Sequence, residues 1–355
     1  MKLFIPGPVN VEADVLKMMS SPMISHRSKS ASCLSESISK NMQTLWNTEN
    51  AILLSTSSGS ALMEAAVKSL ILKKGAFFSL GAFGQRWYEM AITNGKDADL
   101  YEAQMGYCNS PEFIDEILSK GDYDFVAITH NETSTGVTNN LDKIAEIIKK
   151  YDDIIFAVDA VSSTGGVNID VDRCKIDICI TSSQKCLGLP PGLAICSISE
   201  KAVNKTRQVK NRGYYLDLLN LYEYSSKKNY QYPATPSLSH MVALDYKLDK
   251  IMNQEGLENR YKRHTELATR TRQWALDNFE LFVKCNQYSD TVTSIINSRN
   301  IDLTDLSKRL YDKGYVFSNG YGLLKGNTFR IAHMADTTLD ELNEYLDTID
   351  SLIKA

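Results

Sequence analysis

Between residues 51 and 198 short apolar runs alternate with amphipathic stretches, and few folds accommodate that rhythm. "AILLS" (51–55), "AFFSL" (76–80), "DLYEA" (99–103), "FVAIT" (125–129), "IIFAVD" (154–159), "ICITS" (178–182) and "GLAICSI" (192–198) each read as a strand. Helix-forming segments follow the first four: "ALMEAAVKSLILKK", "QRWYEMAITNG", "PEFIDEILSKG" and "NLDKIAEIIKKY". In the last of these Leu141, Ile144, Ile147 and Ile148 share one helical face. Strands with Val and Ile on both faces, joined through helices, predict an α/β fold whose large, mostly parallel central sheet is covered by helices.

The rhythm changes after Gly188. "YLDLLNLYEYSSKKNYQYPATPS" (215–237) reads as a long polar and aromatic connection, and the stretch from Ser237 to Phe279 as a long helix interrupted near Gly256. Beyond it come "LFVK", "TVTSIIN", the helical "LTDLSKRLYDKG", the strand candidate "FRIAH" and a last helix from Thr338, where Glu341 completes a capping box. A chain of 355 residues holds about two domains at about 150 residues each. The predicted division is a short N-terminal segment (1–20), a large α/β domain (21–250) and a smaller C-terminal α+β domain (251–355).

Composition narrows the partners. Lys and Arg number 39 against 43 Asp and Glu, giving a net charge of -4 with no clustered basic stripe, so nucleic acid is not an expected partner. No apolar run approaches the ~20 residues of a membrane span. The opening "MKLFIPGPVN" meets Pro6 before an apolar core could extend, so no secretory signal is expected. Seven cysteines are scattered without CxxC spacing, which fits a reducing cytoplasm. His26, His130, His240, His264 and His333 lack zinc-ligand spacing, and no metal is expected.

In an open α/β sheet the ligand crevice lies beyond the carboxyl ends of the strands. Those ends carry Ser57 to Ser60, His130 to Thr135, Asp159, and Ser182 to Lys185. Ser58, Gly59 and Ser60 open a helix, whose free amides suit a phosphate, although the segment spells neither a P-loop nor GxGxxG. A serine cap on a surface helix is the simpler alternative. Asp159 ends a buried strand and needs a partner, either the amides of the following loop or a protonated ring nitrogen. Lys185, placed between a strand and the rigid "GLPPG" turn, must pair with an anion or lose its proton and become nucleophilic. Pyridoxal 5'-phosphate has an aldehyde for the amine, a pyridine nitrogen for the carboxylate and a phosphate for the helix start.

At this point the chain resembles the class V aminotransferases, pyridoxal-phosphate-dependent enzymes of fold type I, and most of all their alanine–glyoxylate and serine–pyruvate branch. The similarity runs through "IPGPVNV" (5–11), "SHRS" (25–28), "SSGSALMEA" (57–65), "AFGQRW" (82–87), "HNETSTGV" (130–137), "VDAVSSTGG" (158–166), "SSQKCLGLPPG" (182–192), "GYYLDL" (213–218), "YPATPS" (232–237) and "FRIAHM" (329–334). It implies that Ser58, Gly59 and Ser60 bind the phosphate and that Asp159 meets the pyridine nitrogen. Lys185 would form the Schiff base. Phe83 stands where the branch usually stacks a tryptophan on the ring, with Val161 on the opposite face; Trp87, four residues on, reads better as helix core. Thr133 would lie near the ring or its phenolic oxygen, and Gln184 at the phosphate or ring edge. Tyr232 and Thr235 match residues that reach the phosphate of a neighbouring subunit, implying a homodimer with shared sites. Arg330 matches the arginine that binds the substrate carboxylate, and Gly7 the loop that borders a small substrate.

The implied reaction is a two-stage transfer of an amino group from alanine or serine to glyoxylate or pyruvate. A 2-aminoethylphosphonate–pyruvate aminotransferase shares most of this set and remains the alternative, and another class V activity such as a lyase is a further one. Cysteine desulfurases usually carry histidine where Gln184 stands, and a cofactor-free interaction subunit would be expected to have lost Lys185 or Asp159. His130 is expected to make a structural hydrogen bond, and Cys186 to be a packed thiol.

Overall fold

The computed structural model describes residues 1–354. Seven strands form the large sheet: β1 (Ala51–Ser55), β2 (Gly75–Ser79), β3 (Ala98–Glu102), β4 (Phe125–Thr129), β5 (Ile155–Asp159), β6 (Ile178–Ser182) and β7 (Ala194–Ile198). Their order is β1-β7-β6-β5-β4-β2-β3, and β7 is the one member antiparallel to its neighbours. Alternate residues feed two cores. Leu54, Phe78, Val126 and Phe156 face one helical layer, while Leu53, Phe77, Phe125 and Ile155 face the other. Each such side chain contributes about 1.5–3 kcal/mol on leaving water, so burial on both faces outweighs weak local propensity.

Helices Gly59–Leu70, Ala82–Thr93, Pro111–Lys120 and Leu141–Ile148 cover the crossovers between the first five strands. The alternation stops at β5. Residues 160–177 return to β6 as turns without a helix, and β6 passes to β7 through the Pro-Pro-Gly turn. The 215–237 connection is not wholly irregular: it contains the helix Leu218–Lys227, started by Asp217, whose side chain accepts from the amides of Leu219 and Asn220. Only Leu218 and Leu221 of that helix are buried, too thin an apolar stripe to stand out among its polar residues.

A second, antiparallel sheet has the order β8-β9-β11-β10, with β8 (Glu280–Leu281), β9 (Val292–Ile296), β10 (Ser318–Asn319) and β11 (Thr328–Ala332). The helix leading to it breaks where Gly256 interrupts the pattern. Leu238–Asp249 passes through a π-turn at Lys250–Glu255, Gly256 adopts φ +80°, and Leu257–Asn278 continues. The final helix, Leu339–Lys354, starts with reciprocal bonds between Thr338 and Glu341. Phe4 joins this second core, its ring stacked on Tyr345 at 4.0 Å, while Lys2–Leu3 pair with Tyr315–Val316. The N-terminal segment is thus anchored at one end and free to reach the large sheet at the other. No helix among the described residues is long and apolar enough to cross a membrane.

Candidate active site

Six parallel strands end at one edge of the large sheet, and five of them bear the expected residues. Across β1, β6, β5, β4 and β2, the loops beyond those ends carry Ser58, Lys185, Asp159, Thr133 and Phe83 in turn. β7 starts at this edge, with Ala194 opposite both Ser55 and Ser182. Residues scattered over about 130 positions of sequence therefore share one crevice because parallel strands discharge their loops on the same side.

Lys185 follows β6 by three residues, in a turn closed by bonds from Gly188 N to Lys185 O at 2.9 Å and from Ser183 Oγ to Pro190 O at 2.6 Å. Its side chain is buried, and its Nζ donates to the carbonyl oxygen of Pro6. Burial pushes the amine down to about 8, so an appreciable share is unprotonated and nucleophilic near neutral pH. The N-terminal loop lies directly on it. A Cβ added at Gly7 would sit 2.7 Å from Lys185 Cδ, and Gly7 has φ +91°, so a larger residue there is excluded twice over. Val9 N donates to Gln184 O at 3.2 Å, pinning the same loop.

Asp159 ends β5 beside β6. Burial raises its carboxyl to about 6; the Val161 amide, donating to Oδ1 at 2.9 Å, opposes that rise, the charge of Glu132 adds to it, and Lys185 and Arg86 counter it. The second carboxyl oxygen remains available to a cationic hydrogen-bond donor, which would hold this buried group ionised.

The other expected residues close around this pair. Ser58 is the N-cap of the helix Gly59–Leu70, but its side chain makes no capping bond, unlike Ser28, Ser110, Asn140 and Ser199 at the starts of other helices. The simple cap reading therefore fails, and Ser58 Oγ and the first amides are left to an anion. A Cβ at Gly59 would lie 2.9 Å from Val161 Cγ2 and 3.4 Å from Ser182 Oγ, so β1, β5 and β6 converge there. Ser182 Oγ and Gln184 Oε1 are buried without a partner. Thr133 Oγ1 lies 2.6 Å from Ser162 Oγ, and its carbonyl accepts from Arg330 Nη1 at 3.1 Å.

Arg330 enters from β11 of the second sheet. Its Nε and Nη2 donate to Asn319 O at 3.3 and 3.2 Å. With the Thr133 bond, three of the five N–H groups of a guanidinium are used, leaving one on each terminal nitrogen for a bidentate anion. Burial lowers the group to about 10, which still leaves it charged near neutrality.

Three side chains of the crevice were not picked out from sequence. Glu132 is fully buried and accepts at Oε2 from the amides of Phe83 (3.0 Å) and Gly84 (3.2 Å), and at Oε1 from Ser134 N (3.0 Å) and Oγ (2.6 Å). It caps the helix that bears Phe83 from another strand end, and its position two residues before Ser134 was the available signal. Arg86 lies over the Phe83 ring, 4.8 Å from its centroid, and Tyr321 stacks on the same ring at 5.6 Å. Tyr321 arrives from a loop more than 230 residues away in sequence, and no local pattern announces it.

Tyr232 and Thr235 lie outside this convergence. The Tyr232 hydroxyl is 2.7 Å from Ser35 Oγ, while Thr235 is exposed; with Thr56 and Tyr215 they line a separate cleft. Trp87 is helix core, donating to Met63 O at 3.0 Å. His130 makes a 2.9 Å contact with Ser163 Oγ, and burial lowers its pKa to about 4. Cys186 is a buried thiol pushed up to about 11 by burial.

An amine, a buried acid, a helix start with its cap hydroxyl unspent, and two buried oxygens without partners fit pyridoxal phosphate. The comparisons agree. Residues 13–322 match the model of the family described as aminotransferase class-V. An uncharacterized aminotransferase of Methanocaldococcus jannaschii is 40% identical over 339 residues, 94% of this chain and 87% of that protein. A serine–glyoxylate aminotransferase of Methylorubrum extorquens is 32% identical, over 96% of this chain and 87% of its own. Among solved structures, an alanine–glyoxylate aminotransferase from Nostoc sp. superimposes with a TM-score of 0.93 at 26% identity, covering 99% of this chain and 94% of the other.

Proposed function

We propose a substrate class from one premise: the chain belongs to the class V aminotransferases, and is a pyridoxal-phosphate-dependent enzyme. It moves an amino group from a small amino acid, alanine or serine, to a small 2-oxo acid, glyoxylate or pyruvate. The observation that carries the small-substrate reading is the N-terminal loop pressed onto Lys185, with Pro6 O accepting from Nζ and Gly7 leaving no room for a side chain. A donor sharing that space has room for a short side chain.

The cofactor, when bound, supplies an aldehyde that takes up the amino group and a ring that withdraws electrons from the substrate's Cα. Ser58, Gly59 and Ser60, helped by Gln184, would hold its phosphate, and Phe83 and Val161 its two ring faces, with Thr133 at the ring edge. Asp159 Oδ2 would accept from the protonated ring nitrogen, a charge partner that keeps the acid ionised despite its burial. Lys185 Nζ, once free, removes the Cα proton and later returns it. Arg330 directs its two remaining N–H groups at the α-carboxylate of donor and acceptor alike, so both acids occupy one pose. Gly7 and Pro6 exclude water above the amine.

A homodimer completes the site in this proposal, with Tyr232 and Thr235 of one copy reaching the phosphate held by the other. The cleft that they line, which includes neither Lys185 nor Asp159, and the exposure of Thr235 and of the neighbouring Tyr214 and Tyr215 support that arrangement. Seven unpaired cysteines fit a reducing, cytoplasmic setting. The test is a half-reaction panel on the holoenzyme, following the bound cofactor's absorption with alanine, serine and 2-aminoethylphosphonate. Conversion by alanine or serine is expected, and an exclusive response to the phosphonate would overturn the substrate assignment.

A further inference from the structure

Arg86 and Arg330 are both without a carboxylate within ion-pair distance among the described residues, and Tyr321 lies between them. Its hydroxyl accepts from Arg86 Nη2 at 2.9 Å, its ring centroid is 5.5 Å from the Arg330 guanidinium, and its face stacks on Phe83 with 24° between the planes. Arg86 is near enough to Asp159 to influence its ionisation, so it belongs to the same crevice. Tyr321 is the contribution of the loop between β10 and β11, where a short 3₁₀ turn at Gly322–Leu324 follows it.

Two unpaired guanidinium groups in one crevice would ordinarily invite a dicarboxylate. One would take the α-carboxylate and the other the acid of the side chain. Here the second cation is engaged: Arg86 donates to Tyr321 and rests on Phe83, while the Tyr321 ring fills the space between the two arginines. A donor with a side-chain carboxylate would have to break the Arg86–Tyr321 bond and displace an aromatic ring stacked on another. A donor ending at a methyl or hydroxymethyl group would disturb neither.

We propose that Tyr321 is a specificity-determining residue: by covering the space between Arg330 and Arg86 and engaging Arg86 through its hydroxyl, it reserves the site for short, uncharged amino donors over acidic ones. The inference rests on the small-donor reading above and names the side chain that enforces it. Phe83, expected against the cofactor ring, couples Tyr321 to the reacting end of the site. The discrimination therefore depends on a loop of the second sheet, not on the strand ends that carry Lys185 and Asp159.

The test uses the holoenzyme with Tyr321→Phe and Tyr321→Ala. Second-order constants for single-turnover amino transfer are measured with L-alanine and L-aspartate, and the Kd of succinate, an unreactive dicarboxylate, is measured on the same three proteins. The wild type is expected to favour alanine, and Tyr321→Phe to raise the aspartate-to-alanine ratio roughly tenfold by freeing one charge-assisted hydrogen bond. Tyr321→Ala should raise it further, with succinate binding tightening in the same order. A ratio unchanged in both variants, at wild-type melting temperature and cofactor content, overturns the proposal, as does a wild type that already prefers aspartate. If the wild type accepts neither alanine nor serine, the donor assignment fails on its own. Succinate binding then decides the role of Tyr321: tighter binding in the variants supports it, and equal binding overturns it.

Discussion

Two lysines are buried on opposite sides of one turn, and they are compensated in opposite ways. Lys247, 1% exposed in the helix Leu238–Asp249, has its Nζ 2.6 Å from both Glu12 Oε2 and Asp336 Oδ2. Lys185, 9% exposed, has no carboxylate within ion-pair distance and donates to the Pro6 carbonyl. Gly188 joins the two environments: three residues after Lys185, a Cβ there would lie 2.8 Å from Asp336 Oδ2 and 3.3 Å from Lys247 Cε. Arg260, fully buried, ties the same turn down by donating to Cys186 O at 2.6 Å and to Gly165 O at 2.7 Å. Burial opposes the ionisation of Asp336, and the charges of Arg260 and Lys247 overcome it, leaving its carboxyl below the ordinary value. A buried cation whose charge is matched acts as a fastener, whereas one held by a neutral carbonyl is available for chemistry.

The comparison breaks first at the lysines themselves. Lys185→Ala should lower turnover by at least about a thousandfold, since it removes both the covalent anchor and the proton carrier. Steady-state rates per folded molecule read the loss. A Lys185→Ala protein that completed multiple turnovers at a normal rate would defeat the assignment. Lys247→Met should do the reverse. Glu12 keeps Lys250 and Asp336 keeps Arg260, so the loss of one cation from each costs about 1.5–3 kcal/mol of stability, visible in denaturant titration, while the rate per folded, cofactor-loaded molecule changes far less.

The contrast between those lysines was only half legible in the sequence. Asp159 stood out because it ends a run of apolar residues, and Lys185 because it follows a strand and a few small polar residues just before a rigid Gly-Pro turn; a charge in either place needs a partner. "FVAIT" and "ICITS" form strands over the very residues expected, because their side chains are buried on both faces and bulky or β-branched residues serve each face. Lys247 carried no such mark. It lies in an amphipathic helix where lysine is ordinary, and its partners come from residue 12 and residue 336. Tyr321 and Arg86 were hidden for the same reason: their meeting depends on how the second sheet is set against the first, and periodicity records only which face of an element is apolar.

A further effect separates the lysines by pH. In the cofactor-free protein Lys185 falls to about 8 from an ordinary 10.5, so the unfolded chain binds more protons than the folded one between those values. Stability must therefore rise with pH across that window, by about 3 kcal/mol for this group alone. Lys185→Met removes the titration, so its stability relative to the wild type should be most favourable at pH 7 and fall by about that amount towards pH 10.5. Denaturant titrations of the two cofactor-free proteins at both pH values give the difference directly. A constant difference would mean that the amine is not desolvated as the structure has it.

Glu132 tests whether compensation by dipoles works as compensation by charge does. It is buried as completely as Lys247, yet its oxygens are met by amides and a hydroxyl, not by a cation, and burial still raises its carboxyl above the ordinary range. Glu132→Gln keeps the shape but turns one end into a donor. Whichever way the amide faces, its NH₂ then meets either the amides of Phe83 and Gly84 or the amide of Ser134, and at least one buried donor loses its acceptor. The expected cost is about 1–3 kcal/mol of stability, together with a weaker hold on bound cofactor, because the helix start that places Phe83 is no longer capped. Cofactor dissociation measured beside thermal unfolding distinguishes this from a purely structural loss: a variant with lower stability but unchanged cofactor affinity would show that Glu132 braces the fold without positioning the ring, and that amide dipoles alone suffice only for the fastening kind of burial.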